Sequence, residues 1–247
     1  MTTYQLEELQ QIINEGERIV FFSGAGVSTD SDIPDFRSQD GLYHLSYNYP
    51  PETIISHSFF LQNPEEFYRF YKDKMLYLDA KPNAVHQYIA ALEEVGKVRG
   101  VITQNIDSLH TEAGSKKVYE LHGSVLRNYC MKCHKAYDAK FIKNCEGIPH
   151  CECGGIIKPD VVLYEEALDS HIIEEAVRAI QEADVLIVLG TSLVVYPAAG
   201  LINYFHGDKL VLINRDMTPY DSKADLLIHN TFDQVFPKLE IPKKNNH

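Results

Sequence analysis

Five short apolar runs, at 18–23, 98–103, 185–190, 209–214 and 225–229, are β-rich, bounded by turn or polar residues and separated by stretches of helical periodicity such as 84–95 and 172–183. Runs of this kind are expected where both faces of a strand are covered, since a half-exposed strand alternates polar and apolar side chains. Strand alternating with helix predicts an α/β fold, a doubly wound parallel sheet. Two segments break the rhythm: 39–82, rich in Tyr, Phe and Pro, and 129–159, which holds every cysteine. Both are expected to build a smaller lobe, with the functional site in the cleft it makes with the C-terminal ends of the strands.

Composition narrows the function. A formal net charge of -12 argues against a nucleic-acid backbone as the main partner, because phosphate binding needs a basic face. The acidic balance suits basic partners such as lysine-bearing segments. No apolar run approaches the roughly eighteen residues a membrane helix needs, and the amphipathic, acidic start lacks the character of a signal peptide. Five cysteines, all between Cys130 and Cys153, fit a metal site in a reducing compartment better than a disulfide framework, so a cytoplasmic location is expected.

The strand ends carry the polar chemistry. The first runs into Ser23-Gly24-Ala25-Gly26-Val27-Ser28, a Gly-x-Gly turn whose missing side chains let main-chain N–H groups approach a phosphate. Thr29 stands near the usual third glycine, and no acidic residue ends the second strand to hold a ribose, so an ordinary dehydrogenase fits poorly. Beyond it, Ser31-Asp32-Ile33-Pro34-Asp35-Phe36-Arg37 sets a carboxylate, a ring and a guanidinium beside the loop. Strand 98–103 ends in Gln104-Asn105-Ile106-Asp107-Ser108-Leu109-His110, and 118–121 in His122-Gly123. His122 is a candidate base near neutral pH, with His110 the rival in a structural role. The last strands open into Gly190-Thr191-Ser192-Leu193 and Asn214.

Cys130-Met131-Lys132-Cys133 and Cys151-Glu152-Cys153 supply four thiolates for a closed, structural zinc site, with Cys145 and His150 as competing ligands. Gly154-Gly155 suits a tight knuckle there.

GAGVSTDSDIPDFR, TQNIDSLH, LHG, GTSLVVYPAA and LIN, in this order around the cysteine cluster, resemble the sirtuin family from near Ile12 to near Phe236. The resemblance implies a Rossmann-like NAD-binding domain (1–38, 83–128 and 160–247), with a smaller lobe of a helical module (39–82) and a zinc-binding module (129–159). It implies NAD-dependent removal of acyl groups, foremost acetyl, from protein or peptide lysines. NAD is consumed, one zinc ion is structural, and neither nucleic acid nor membrane is a partner. By motif, Gly24, Ala25, Gly26, Asp35, Phe36 and Arg37 would contact NAD, with Gln104, Asn105, Ile106 and Asp107 about its ribose and nicotinamide. Gly190, Thr191, Ser192 and Asn214 would hold the adenosine-phosphate end. In the implied reaction the acyl oxygen attacks the carbon bearing nicotinamide, His122 deprotonates a ribose hydroxyl, and lysine and O-acyl-ADP-ribose leave; Asn105 and Asp107 join His122 as catalytic candidates. Protein ADP-ribosyl transfer and a non-catalytic NAD sensor are the alternatives.

Several positions depart from the family pattern. Asp32 and Ser108 stand where glycine is usual. Val162-Leu163-Tyr164-Glu165 resembles the strand that pairs with substrate peptide, Tyr164 replacing Phe and Glu165 replacing Gly, and Val194-Val195-Tyr196 would cover the peptide's other edge. The added charge at Glu165 is expected to favour basic residues beside the lysine. Tyr68 aligns with the tyrosine of the Tyr-x-x-Arg pair used for succinyl groups, and Tyr71 replaces the arginine, so acidic acyl groups are disfavoured unless Arg69 or Lys72 substitutes.

Overall fold

The computed structural model describes residues 2–35 and 48–243. Within them the strands are β1 (Ile19–Ser23), β2 (Val98–Thr103), β3 (Val118–Glu120), β4 (Gly123–Cys130), β5 (Ala136–Asp138), β6 (Ile157–Val161), β7 (Val185–Leu189), β8 (Lys209–Asn214) and β9 (Leu226–His229). Six of them form a parallel sheet in the order β3-β2-β1-β7-β8-β9. β2 and β8 match the apolar runs, and the other three runs each overshoot by a residue. The Arg18 N–H is taken by the Asp184 carboxylate at 2.9 Å, Gly190 turns at φ 58, and the Asp225 carboxylate accepts from Leu210 N at 2.8 Å.

Helices cover both faces, which is why the strands lack polar alternation. Ile19 and Phe21 join Ile187, Val211 and Ile213 against α1 (Thr3–Glu15) and a second helix at Ala84–Glu94. Val20 and Phe22 point the other way, with Leu186, Val188 and Leu212, toward the helix Ser170–Glu182 and a 3-10 turn at Ala198–Tyr204. The first helix starts in a capping box in which Thr2 Oγ1 accepts from Gln5 N and Gln5 Oε1 accepts from Thr2 N. Its C-terminal carbonyl region is closed by the buried Lys97, whose Nζ donates to Asn14 O and Gly16 O at 2.7 and 2.8 Å. No helix among the described residues is long and apolar enough to cross a membrane.

The smaller lobe combines three short helices, α2 (Pro51–Ile54), α3 (His57–Gln62) and α4 (Pro64–Lys74), with an antiparallel sheet ordered β5-β4-β6. The two parts share one core: Phe60, Phe67, Tyr68, Phe70 and Tyr71 of the helices pack with Cys130, Ile142, Ile157 and Leu163. Because Gly123 pairs with Val161, this sheet starts before 129 and runs past 159. Gly123, at φ 75, is required: a Cβ there would lie 1.9 Å from Asp160 O.

Phe67 is fully buried, stacks on Tyr71 at 5.7 Å and meets Phe60 edge-on at 4.9 Å. Phe67→Ala is expected to cost about 3–5 kcal/mol of stability in urea melts. A loss below about 1 kcal/mol would show that the lobe is not held by this cluster.

Candidate active site

The chain order around the parallel sheet reverses between β1 and β7, and this opens a crevice at their C-terminal ends. The loops that follow interlock. A Cβ on Gly24 would stand 2.6 Å from Thr191 Cβ, and one on Gly190 2.6 Å from Val27 N. Gly24 N and Gly26 N donate to Leu189 O and Gly190 O at 2.9 Å, stitching the loops together. The floor is therefore bare main chain, as close approach of a phosphate demands.

A cavity of about 540 Å³ spreads from this floor. It is lined by Gly24, Ala25, Gly26 and Asp35, by Gln104, Asn105, Ile106 and Asp107, and by Gly190, Thr191, Ser192 and Asn214. Phe36 and Arg37 lie outside the described residues. Gln104, just after β2, ties its loop to the second glycine turn through Nε2 to Thr191 Oγ1 at 2.9 Å.

Asn105 and Asp107 meet at a hydroxyl that the sequence reading did not assign. Ser28 Oγ donates to Asp107 Oδ2 at 2.6 Å and accepts from Asn105 Nδ2 at 3.0 Å. Asp107 Oδ1 accepts from Leu109 N at 2.8 Å. Burial pushes the Asp107 carboxyl up, against the pull of the Ser28 and Leu109 donors. His122 also lines the cavity, and its Nδ1 lies 2.8 Å from the Gln104 carbonyl. A carbonyl only accepts, so Nδ1 carries the proton and neutral His122 keeps its lone pair on Nε2. Burial holds its pKa below the ordinary histidine value, opposed by the Gln104 bond. It is therefore unprotonated at neutral pH, as a base must be. His110 has the structural placement expected of it: it is buried under the floor, with Nε2 2.9 Å from Ser23 Oγ.

Outside the cavity, Cys130, Cys133, Cys151 and Cys153 bring their four Sγ atoms within 4.8 Å of one another. Cys130–Cys153 and Cys133–Cys151 are 3.4 and 3.5 Å apart, far beyond a disulfide and near the edge of a tetrahedron with roughly 2.3 Å metal–sulfur bonds. Lys132 N and Cys133 N donate to Cys130 Sγ, and a Cβ on Gly155 would sit 2.7 Å from that sulfur. The donor set and its knuckle fit one closed zinc site. Cys145 and His150 are not in the cluster.

A model of the Sir2 family matches residues 24–197. The chain belongs to the Sir2 family. It is 58% identical to an NAD-dependent protein deacetylase of Clostridium acetobutylicum over 94% of this chain and 96% of that one. It is 57% identical to the protein of the same description in Clostridium perfringens, over 95% and 98%. Among solved structures it resembles a Sir2 histidine-to-alanine variant with a deacetylated p53 peptide and 3'-O-acetyl ADP ribose, with a TM-score of 0.88, 42% identity and coverage of 94% and 96%. A Sir2–p53 peptide–NAD+ structure matches at a TM-score of 0.84 and 42% identity over the same shares.

Within this Sir2 chain, several expectations for the peptide side need correction. Val162, Leu163, Tyr164, Glu165, Val195 and Tyr196 line the cavity, whereas Val194 is exposed outside it. Regular pairing stops at Val161. Tyr164 instead bonds to the helical part through Tyr164 N to Ile55 O and His57 N to Tyr164 O. Glu165 is oriented by the helical part, its carboxylate accepting from Ser58 N at 2.8 Å and Ser58 Oγ at 2.9 Å, and these neutral donors leave it exposed at the cavity edge. Tyr68 is 1% exposed and does not reach the cavity; its hydroxyl donates to Ile157 O inside the small-lobe core. Nor does Lys72 substitute for an arginine, since its Nζ donates to the Cys145 and Gly147 carbonyls. Arg69 is paired with Glu66 at the surface.

The cavity also takes in Arg215, Asp216, Asn230 and Thr231, which follow β8 and β9 and were open to the strand-end rule. Met75, Tyr77 and Leu78 line it from the helical part, and no local motif marks them.

Removal of zinc by a strong chelator is expected to lower the Tm and melt the β4–β6 part, with recovery on zinc addition, and metal analysis should find one zinc per chain. An unchanged Tm in metal-free protein would show that the cluster needs no ion. Beneath the floor, His86 and His110 face each other at 4.7 Å. Burial pushes them down to about 4 and about 3, His86 adding to the depression of His110. Folding favours their neutral forms, so their contribution is complete above the unfolded value near 6.5 and is lost as pH falls toward 4 and then 3. Below about pH 6.5 each site should cost roughly 1.4 kcal/mol per pH unit. Urea melts at pH 7, 6 and 5 should show a shallower slope in His86→Gln than in the unsubstituted protein; equal slopes would mean His86 does not drive the acid loss.

Proposed function

We propose that this protein is an NAD-dependent protein-lysine deacylase, foremost a deacetylase, which uses NAD as a consumed co-substrate. The observation that carries the reading is His122: neutral, with its Nε2 lone pair available, in one cavity with the glycine floor and the Asn105–Ser28–Asp107 group. The relatives' shared description as NAD-dependent protein deacetylases supports it.

NAD supplies an electrophilic ribose carbon whose leaving group is nicotinamide. Around it, Gly24, Ala25, Gly26, Gly190, Thr191 and Ser192 bind the phosphates and adjoining ribose, with Asn214 at the adenosine end. Asn105 and Asp107, held by Ser28, orient the nicotinamide-bearing ribose, and the Asp107 carboxylate favours the cationic character that develops there. His122 Nε2 removes a proton from a ribose hydroxyl while Nδ1–H stays on Gln104 O, so the ring does not turn as it gains charge. The 162–165 segment and Val195-Tyr196 flank an extended peptide that presents its lysine to the cavity. Cys130, Cys133, Cys151 and Cys153 would hold the structural zinc, remote from the chemistry. A cytoplasmic location is supported by cysteines that stand as a four-thiolate metal cluster and a single thiol, Cys145, with no disulfide among them.

Neutral acyl groups suit the site. Among the described residues, the cavity-lining cations Lys74 and Arg215 each sit beside an aspartate, Asp73 at 3.1 Å and Asp216 at 3.5 Å. Neither forms the unpaired fork that recognises a carboxylate.

Incubation with NAD and acetyl-, longer acyl- or succinyl-lysine peptides, followed by mass, should show acyl loss with stoichiometric nicotinamide release. The acetyl peptide is expected to exceed the succinyl peptide by about tenfold or more in kcat/KM, a difference of about 1.4 kcal/mol. His122→Ala should lower kcat by roughly 10²–10⁴. A protein that consumes NAD, leaves every acyl group in place and labels an acceptor would be an ADP-ribosyltransferase; NAD binding without turnover would make it a sensor.

A further inference from the structure

Ser108 occupies a backbone position that ordinarily belongs to glycine. Its φ and ψ are 61 and 18, the left-handed region where a Cβ is strained. The side chain has an engagement that glycine cannot have. Its Oγ lies 2.7 Å from Glu120 Oε1 and 2.7 Å from Ser124 Oγ. A carboxylate only accepts, so the Ser108 hydroxyl donates to Glu120, and the Ser124 hydroxyl in turn donates to Ser108. Ser124 Oγ also accepts from Leu126 N at 3.0 Å.

Glu120 and Ser124 bracket His122, each two residues away. Glu120 closes β3 and Ser124 is the second residue of β4, while Ser108 follows directly on Asp107. The loop 104–108 is thus joined to the segment 120–125 at three places: His122 Nδ1 on Gln104 O, Val125 N on Ile106 O, and the Ser108 hydroxyl on both flanks of the histidine. Glu120 is fixed from its other side, Oε2 accepting from Arg127 Nη1 at 2.7 Å, and Arg127 Nε donates to Asp160 Oδ2 at 2.7 Å. The carboxylate is only 11% exposed, so it is poorly placed to replace a lost partner with water.

We propose that Ser108 is a positioning residue: its hydroxyl clasps Glu120 and Ser124 and so fixes the spacing between the Asn105–Asp107 loop and His122. The inference rests on the deacylase reading of the site. Ser108 lies outside the cavity lining and touches no reacting atom; it acts through the two segments it joins. A base and a ribose hydroxyl must approach hydrogen-bond distance in the reacting complex, and a small misplacement is costly in rate.

The test is steady-state deacetylation of an acetyl-lysine peptide by the zinc-loaded protein and by Ser108→Gly, Ser108→Ala, Ser124→Ala and the Ser108→Ala/Ser124→Ala pair, with thermal melts of each. The glycine variant relieves the backbone and removes the clasp. It should keep or raise Tm, leave KM for NAD within about twofold and lose about tenfold in kcat. Ser124→Ala should also lower kcat, and the double variant should fall short of the product of the single losses, since both remove one shared bond. Ser108→Gly with the kcat of the unsubstituted protein would overturn the proposal, as would fully multiplicative losses in the pair. Should the variants fail to fold, melts would reveal it, and Ser108→Gly, which carries no backbone strain, remains the deciding variant. Failure of the deacylase reading is distinct: the unsubstituted protein itself would then remove no acetyl group.

Discussion

The site depends first on the close approach of two glycine turns across β1 and β7. Gly24 and Gly190 have no room for a Cβ, and the hydrogen bonds from Gly24 N and Gly26 N hold the loops in contact. A side chain at either place would push the loops apart and put a methyl group where a phosphate must come close. The same contact carries the rest of the site. Ser28 emerges just beyond the first turn, at the distance needed to hold Asn105 and Asp107, and Thr191 follows the second, where it receives Gln104. A parallel sheet with a reversal at this point brings strand ends from distant sequence to one crevice, and the glycines make that crevice usable.

The second constraint is the anchoring of the smaller lobe over the crevice. Its helices and its cysteine-bearing sheet share one aromatic core, and the cavity-lining segment after β6 is tied to the helices through Tyr164, Glu165 and His57. Two of the ties use residues with positive φ, Ser108 and Glu165, where the family pattern has glycine. Each costs on the order of 1 kcal/mol in backbone strain, and each gains side-chain bonds that glycine lacks. Asp32 shares the left-handed conformation, and nothing in the structure explains its side chain.

Much of this was legible in the sequence. The strands were readable because a doubly covered strand is apolar throughout, and the metal site because thiolates at hook spacing have few other uses in a reducing compartment. Gly24, Asn105, Asp107, His122, Gly190 and Asn214 were readable because ligand groups follow strand C-terminal ends. The peptide side was harder. Tyr68 looked like an acyl contact, yet its helix turns it into the core onto Ile157 O, and the direction of the Glu165 carboxylate is set by Ser58, a residue more than a hundred positions away. Whether a side chain on a short amphipathic helix faces a cavity or a core depends on the lobe packed against it, which local pattern does not encode.

The sequence by itself determined the architecture, the strand-end residues and the four thiolates, because these follow from short-range periodicity, glycine stereochemistry and ligand spacing, and its ordered motifs carried the resemblance to the family. Only the tertiary structure decided that Nε2 of His122 carries the lone pair, that Ser28 joins Asn105 to Asp107, and that Ser108 clasps both flanks of His122. Those outcomes depend on which hydrogen-bond partner lies within about 3 Å, and such partners come from strands and loops far apart along the chain.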